Sequence, residues 1–229
     1  MYQPLPSLPV MMFFFNAVVS LCAVVVLAAP LRTCSKLGAR DDDLPARIPY
    51  IFPAPGTDPL ADAIRERHGT LLDVDGLLLN APKLAAGLND LFGAIRGENS
   101  LPGNMRELII LRIAVLNSAA YQWLQHEPFG RAEGLATEQL RAIRFTPPFF
   151  QTKHSKSTLG PQLSAAMLFA DWITRSVRVP DEVFGGLKEF MNDQQIVEAT
   201  MTAAGYNLVS RFVVALDADA KMDVPVPVV

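Results

Sequence analysis

The chain has 229 residues, 20 basic against 23 acidic side chains, a formal charge of −3 and 50% hydrophobic residues. That length suits one ordinary domain with appendages, and the absence of a basic block excludes a nucleic-acid surface, which needs clustered Lys or Arg to displace counterions. Only Cys22 and Cys34 carry sulfhydryls, so from Ser35 onward there is no disulfide, thiolate nucleophile or cysteine metal site.

In chain order, the first element is the apolar segment Val10 to Ala29, bounded by Pro9 and Pro30. As a helix at roughly 1.5 Å per residue it reaches about 30 Å, enough to cross a hydrocarbon core. Three readings stay open for residues 1–31: a retained anchor, a cleaved signal ending near Leu27-Ala28-Ala29, or a misassigned start. Arg32, Lys36 and Arg40 follow the run, and a retained anchor would hold the rest in the cytosol. Cleavage would instead give a secreted product, against which the lack of any Asn-x-Ser/Thr acceptor counts mildly. Residues 32–59 read as a Pro-rich linker, with Asp41-Asp42-Asp43 and Phe52-Pro53-Ala54-Pro55-Gly56.

Residues 60–218 read as helical throughout. Asp58-Pro59 opens a helix over Leu60 to Arg67 that Gly69 closes. Asn80 is the expected cap of a helix carrying Leu84, Leu88, Leu91, Phe92 and Ile95 to Gly97, spaced as an amphipathic stripe. Asn104 is the expected cap of the next, with Glu107 at its third position. Leu108 to Leu116 is apolar nearly all round and is predicted to run through the core. Asn117-Ser118 breaks it, with Asn taking the left-handed end and Ser the following cap. A helix from Ala119 to about Glu133 follows, kinked by Pro128 and stopped at Gly134. Thr137 caps a short helix to Ile143, and Phe145 to Gly160 reads as a loop. Helices from Gln162 to Arg175, from Pro180 to Phe190, and from an Asp193 cap through Phe212 complete the domain. Residues 219–229, ending in Val-Pro-Val-Pro-Val-Val, form a non-helical tail. The fold class is all-α.

Glu107 and His126 frame the most distinctive stretch. It resembles the carboxymuconolactone decarboxylase and alkylhydroperoxidase D-like family, whose redox branch reads Glu-x11-Cys-x2-Cys-x3-His. Counted from Glu107, the two Cys positions hold Ala119 and Gln122, while the final His is His126. Gly205 to Phe212 and Val179 to Phe184 also look like the family. The resemblance implies an alkylhydroperoxidase D-like helical bundle of the non-redox branch, assembled as a homo-oligomer. It disfavours a thiol peroxidase, because peroxide reduction needs the paired thiols.

Imidazole gives and takes protons near neutral pH, so His126 is the leading candidate for general acid/base work on a small carboxylate substrate. Glu107 either orients His126 or caps its own helix. Tyr121 can donate to a developing oxyanion and Trp123 can form an apolar wall. Gln122 places an amide beside the imidazole. Arg112, set among Ile and Leu, needs an anion, either an acidic side chain or a substrate carboxylate. Arg131 is a second possible clamp, and Asn207 and Arg211 either line the pocket or make an inter-helix contact. His68 reads as a helix-end residue and His154 as solvated. Scattered histidines without carboxylates at ligand spacing predict no metal, and no nucleotide or phosphate motif predicts a cofactor. The reading is a cofactor-free decarboxylase-like lyase or isomerase; the alternative is a non-catalytic helical scaffold or ligand carrier.

Overall fold

The computed structural model describes residues 46–229. Among them the regular elements are helices: α1 (Pro59–His68), α2 (Asp73–Leu78), α3 (Pro82–Gly97), α4 (Gly103–Leu116), α5 (Ala120–Ala132), α6 (Thr137–Phe145), α7 (Lys153–Arg175), α8 (Asp181–Lys188), α9 (Asp193–Ala215) and a 3-10 turn, Ala218–Ala220. The all-α class is as predicted. None of these helices is long and apolar enough to cross a membrane. The apolar segment Val10 to Ala29 lies outside the described residues.

The bundle is organised around α4, which packs against α5, α6, α7 and α9. Leu108, Ile109, Ile110, Leu111 and Ile113 are fully buried, as an all-round apolar helix requires. Arg112 is buried among them and is neutralised by Asp171 of α7. Nε reaches Oδ1 at 2.6 Å and Nη2 reaches Oδ2 at 3.1 Å. Its Nη1 donates to the carbonyls of Ile143 and Thr146, and Asp171 Oδ2 accepts the Phe149 N–H. This fork–fork pair joins α4, α7 and the end of α6.

Helix ends follow local chemistry, with several one-residue corrections. Asp58 caps α1, its Oδ1 accepting from Leu60 and Ala61, and Gly69 closes the helix in the left-handed region. Asn80 does not cap α3. Its amide donates to Pro49, Gly76 and Leu77 carbonyls, closing α2, while Pro82 begins α3. That short α2, not foreseen from the sequence, is held by burial of Leu77 and by Phe52 and Tyr50 crowding onto Gly76. Likewise α4 starts at Gly103 from Pro102, whose carbonyl accepts from Met105 and Arg106. Glu107 is therefore in the helix body and not at its cap. At the α4–α5 break it is Ser118, not Asn117, that takes the left-handed conformation, and neither side chain caps α5.

Gln139 Oε1 accepts the Ala136 N–H ahead of α6, and Asn192 caps α9 one residue before Asp193. The expected loop Phe145 to Gly160 is partly helical. Thr152 caps α7, which runs from Lys153 and breaks only at Gly160, where φ is 73° before Pro161. The segment 46–58 has no regular structure but is anchored, Arg47 N–H donating to Leu216 and Tyr50 Oη accepting from Asp219. The tail is extended and docked: Val226 is buried, and Arg141 and Arg144 hold the Val229 and Val226 carbonyls.

Candidate active site

Glu107 on α4 and His126 on α5 face each other across the most intimate contact of the bundle. Gly130, one turn after His126, makes the approach possible. A Cβ there would stand 3.0 Å from Leu111 Cδ1, 3.2 Å from Leu135 Cδ1 and 3.8 Å from Glu107 Cβ. The turn after α5 is fixed by Gly134 at φ 94°, with Leu135 and Gly134 donating to the Gly130 and Arg131 carbonyls. This Schellman arrangement sends the Leu135 side chain back onto α4 and α5.

With that spacing, Glu107 Oε2 lies 2.8 Å from His126 Nδ1. Both side chains are buried, at 2% and 9% exposure. An ionised carboxylate only accepts, so the proton sits on Nδ1 and Nε2 is the ring atom left for a ligand. Burial holds the imidazole below its ordinary pKa of 6.5, and the Glu107 hydrogen bond and charge oppose that shift. Burial thus favours the neutral ring, and Glu107 favours the protonated one.

Two chambers meet at His126. The apolar one, about 80 Å³, is walled by Ile64, Leu88, Phe92, Tyr121, Val209 and Phe212 among others. The polar one is wider, about 370 Å³, with Arg67, Arg96, Arg106, Glu107 and Glu133 on its walls. Arg67, Leu72, Phe92, Arg96, Gln125 and His126 line both. Tyr206 of α9 closes the apolar side. Its ring meets the His126 ring edge-on at 4.9 Å and the Phe92 ring at 5.4 Å. A close passage of Gly205 against Ile95 and Phe92 lets α9 come this near. The Tyr206 hydroxyl has no hydrogen-bond partner among the described residues, and burial raises its pKa well above 10. It remains a neutral O–H donor.

The other residues singled out from the sequence divide clearly. Tyr121 lines the apolar chamber; its hydroxyl accepts the Val74 N–H at 3.3 Å, and burial raises its pKa. Gln122 also lines it, with Nε2 donating to the Ile110 carbonyl at 2.9 Å and Oε1 buried without a partner. Trp123, at 1% exposure, is a core residue and lines neither chamber. Arg112 has its donors occupied by Asp171 and two carbonyls, so it clamps no substrate. Arg131 is exposed and engaged by Glu127 and Thr137. Asn207 bridges Asn117 and Thr174, and Arg211 binds back to Asn207. Both make inter-helix or local contacts away from the chambers.

Sequence reasoning passed over Arg67, Arg96, Arg106 and Tyr206. Arg96 stands one turn after Phe92 and continues the apolar face of α3. A cation at the end of an inward stripe was the available signal. Tyr206 sits within the mostly apolar run of α9, where the sequence alone does not set it apart.

The carboxymuconolactone decarboxylase family model matches residues 82–147, which span Glu107 and His126. That segment of the chain is thus similar to this family, and it is the segment that carries the candidate site. Within it the Glu107 carboxylate and the His126 imidazole are present, and positions 119 and 122 hold Ala119 and Gln122. Solved structures agree in fold. The debrominase Bmp8, as a cysteine-to-alanine variant bound to 2,3,4-tribromopyrrole, superposes with TM-score 0.60 at 17% identity, over 77% of this chain and 95% of its own. A peroxidase-related protein from Silicibacter sp. TM1040 gives 0.58 at 16% identity, over 74% and 91%. A protein of unknown function from Agrobacterium tumefaciens, linked by its name to AhpD-type antioxidant defence, gives 0.52 at 20% identity, over 61% and 92%. No curated protein matches the chain by sequence.

Proposed function

We propose that this protein is a cofactor-free lyase or isomerase of the decarboxylase type. Its substrate is a small carboxylated lactone, aromatic or polyketide-like molecule. The observation that carries the reading is the buried 2.8 Å contact between Glu107 and His126 where two chambers join. A structural histidine needs no cavity at its free nitrogen. The family match over residues 82–147 and the likeness in fold to a debrominase lend the reading coarser support.

In the decarboxylase form, the bond to the carboxylate carbon breaks and carbon dioxide leaves. Its electron pair delocalises into an adjacent carbonyl as an enolate; His126 Nε2 takes one proton from solvent in each cycle and, as imidazolium, delivers it to carbon, returning to the neutral ring. In the isomerase form, neutral Nε2 removes a proton and returns it to another carbon of the same molecule. Both forms generate imidazolium during turnover, and Glu107 stabilises it more than it stabilises neutral imidazole. The neutral phenols of Tyr206 and Tyr121 are the available donors to the enolate oxygen.

The test is incubation with a panel of carboxylated lactones and hydroxylated aromatic acids. Carbon dioxide and the products are followed by NMR, with wild type beside His126→Ala. Turnover lost in the variant supports the reading. Binding without turnover in wild type replaces it with a ligand carrier.

A further inference from the structure

Three guanidinium groups surround the polar chamber, and they are not equivalent. Arg106 Nη2 reaches Glu133 Oε1 at 3.2 Å, and its Nε lies 3.6 Å from Glu107 Oε1. Arg67 Nε donates to Asn89 Oδ1 at 2.7 Å, with Asp75 also acting on its charge. Arg96 differs. Among the described residues its guanidinium makes no hydrogen bond or ion pair; it lies over the Phe129 ring, 5.0 Å from the centroid. It is half-buried and lines both chambers.

A guanidinium presents a planar fork of donors matched to a carboxylate. Stacking on Phe129 fixes its plane without occupying those donors. Around the polar chamber three such cations face two carboxylates, Glu107 and Glu133. Arg106 is paired with Glu133 and Arg67 is held by Asn89 and acted on by Asp75, so the guanidinium at the junction beside His126 that has no hydrogen bond or ion pair among the described residues is Arg96. On the apolar side, Gln122 supplies the complementary vacancy. The hydrogen bond of Nε2 to Ile110 fixes the amide orientation, leaving Oε1 as a buried acceptor without a donor.

We propose that Arg96 is the carboxylate anchor of this site. It receives the anionic group of a small molecule through its free fork, while the apolar body of that molecule enters the chamber beyond His126. Gln122 Oε1 accepts a hydroxyl or N–H from the buried body. The substrate class is thus a compact ring bearing one carboxylate and one hydrogen-bond donor. This rests on the reading that the chambers at His126 hold substrate. It goes further in naming the residue that selects charge.

The probes are 4-hydroxybenzoate and its neutral isostere 4-hydroxybenzamide, their binding measured calorimetrically. Wild type is compared with Arg96→Met, Arg96→Lys and a control at an exposed cation that lines neither chamber, Arg175→Met. Wild type is expected to favour the benzoate by about tenfold or more, the usual weight of a charged hydrogen bond. Arg96→Met erases that preference while benzamide binding stays. Arg96→Lys restores it in part, because a lysine keeps the charge without the fork. Arg175→Met changes nothing. Equal binding of both probes to wild type, or a benzoate preference surviving Arg96→Met, overturns the anchor. Failure of both probes to bind at millimolar concentration overturns the substrate class. Because preference is read without turnover, loss of the anchor and loss of the His126 chemistry are separate results.

Discussion

The Tyr206 phenol meets the His126 imidazole edge to face, ring planes at 87° and centroids 4.9 Å apart, tying α9 to α5 at the one place where both chambers open. The hydroxyl has no partner among the described residues, so its removal leaves no protein group unsatisfied. Tyr206→Phe is therefore expected to keep or slightly raise the melting temperature. On a verified substrate it should lower kcat by about 10²-fold if the phenol steadies the enolate oxygen, as loss of one such donor does. Thermal denaturation and single-substrate kinetics read the two effects separately.

His126→Ala should cost about 10²–10⁴-fold in kcat, the ordinary contribution of a general acid/base. Glu107→Gln should cost less, because the proton carrier stays and only its orientation and the stabilisation of imidazolium are lost. If His126→Ala turned over at near wild-type rates, the proposed mechanism would fail even with the family assignment intact.

The same pair sets a pH dependence of stability. Burial lowers the folded His126 pKa from 6.5. As pH falls through that value the unfolded chain takes up a proton that the folded imidazole refuses, so stability declines with falling pH until the folded pKa is reached. Above 6.5 the group contributes nothing. Glu107 opposes the shift, so Glu107→Gln should deepen the acid-side decline and His126→Gln should remove it. Denaturant midpoints between about pH 5 and pH 8, compared across the three proteins, decide this.

Gly130 governs the separation of α4 and α5. For Gly130→Ala, crowding of the two leucine tips is offset by a helix-propensity gain of about 1 kcal/mol, leaving stability nearly unchanged. Gly130→Val adds bulk without that relief and should lose about 1–3 kcal/mol. It should also displace the His126 Nδ1–H resonance, which reports directly on the contact with Glu107.

Arg112 and Asp171 predict the opposite pattern. Removing one partner strands a buried charge, so Arg112→Ala or Asp171→Ala should destabilise by about 3–5 kcal/mol. Neither side chain lines a chamber. Any protein that still folds should bind ligands as wild type does, which equilibrium unfolding beside calorimetric titration will show.

The helices were legible because their period and punctuation are local: Asp58 and Gly69 around α1, Pro82 before α3, the unbroken apolar run of α4. The Glu107–His126 frame was legible because spacing survives in a string. What did not transfer was direction. Trp123 and Tyr121 are two residues apart on one helix, yet one faces the core and the other the cavity. Arg112 and Arg96 are both cations in apolar settings. Only the fold reveals that Asp171, 59 residues along the chain from Arg112, engages one, while among the described residues the other has only the Phe129 ring face and no hydrogen bond or ion pair. Short α2 escaped notice because a turn and a half of helix is stabilised by what packs on it and not by its own sequence.

The single free nitrogen of His126 carries a stereochemical consequence. With Nδ1 committed to Glu107, a proton can pass only through Nε2, and the ring is clasped between α4 and Tyr206 and cannot swing to the opposite side of a bound molecule. On the proposed mechanism carbon is therefore protonated on one face. A product bearing a new stereocentre should emerge as one enantiomer, and in the decarboxylase form turnover in deuterium oxide should place one deuterium, in one configuration, at that carbon.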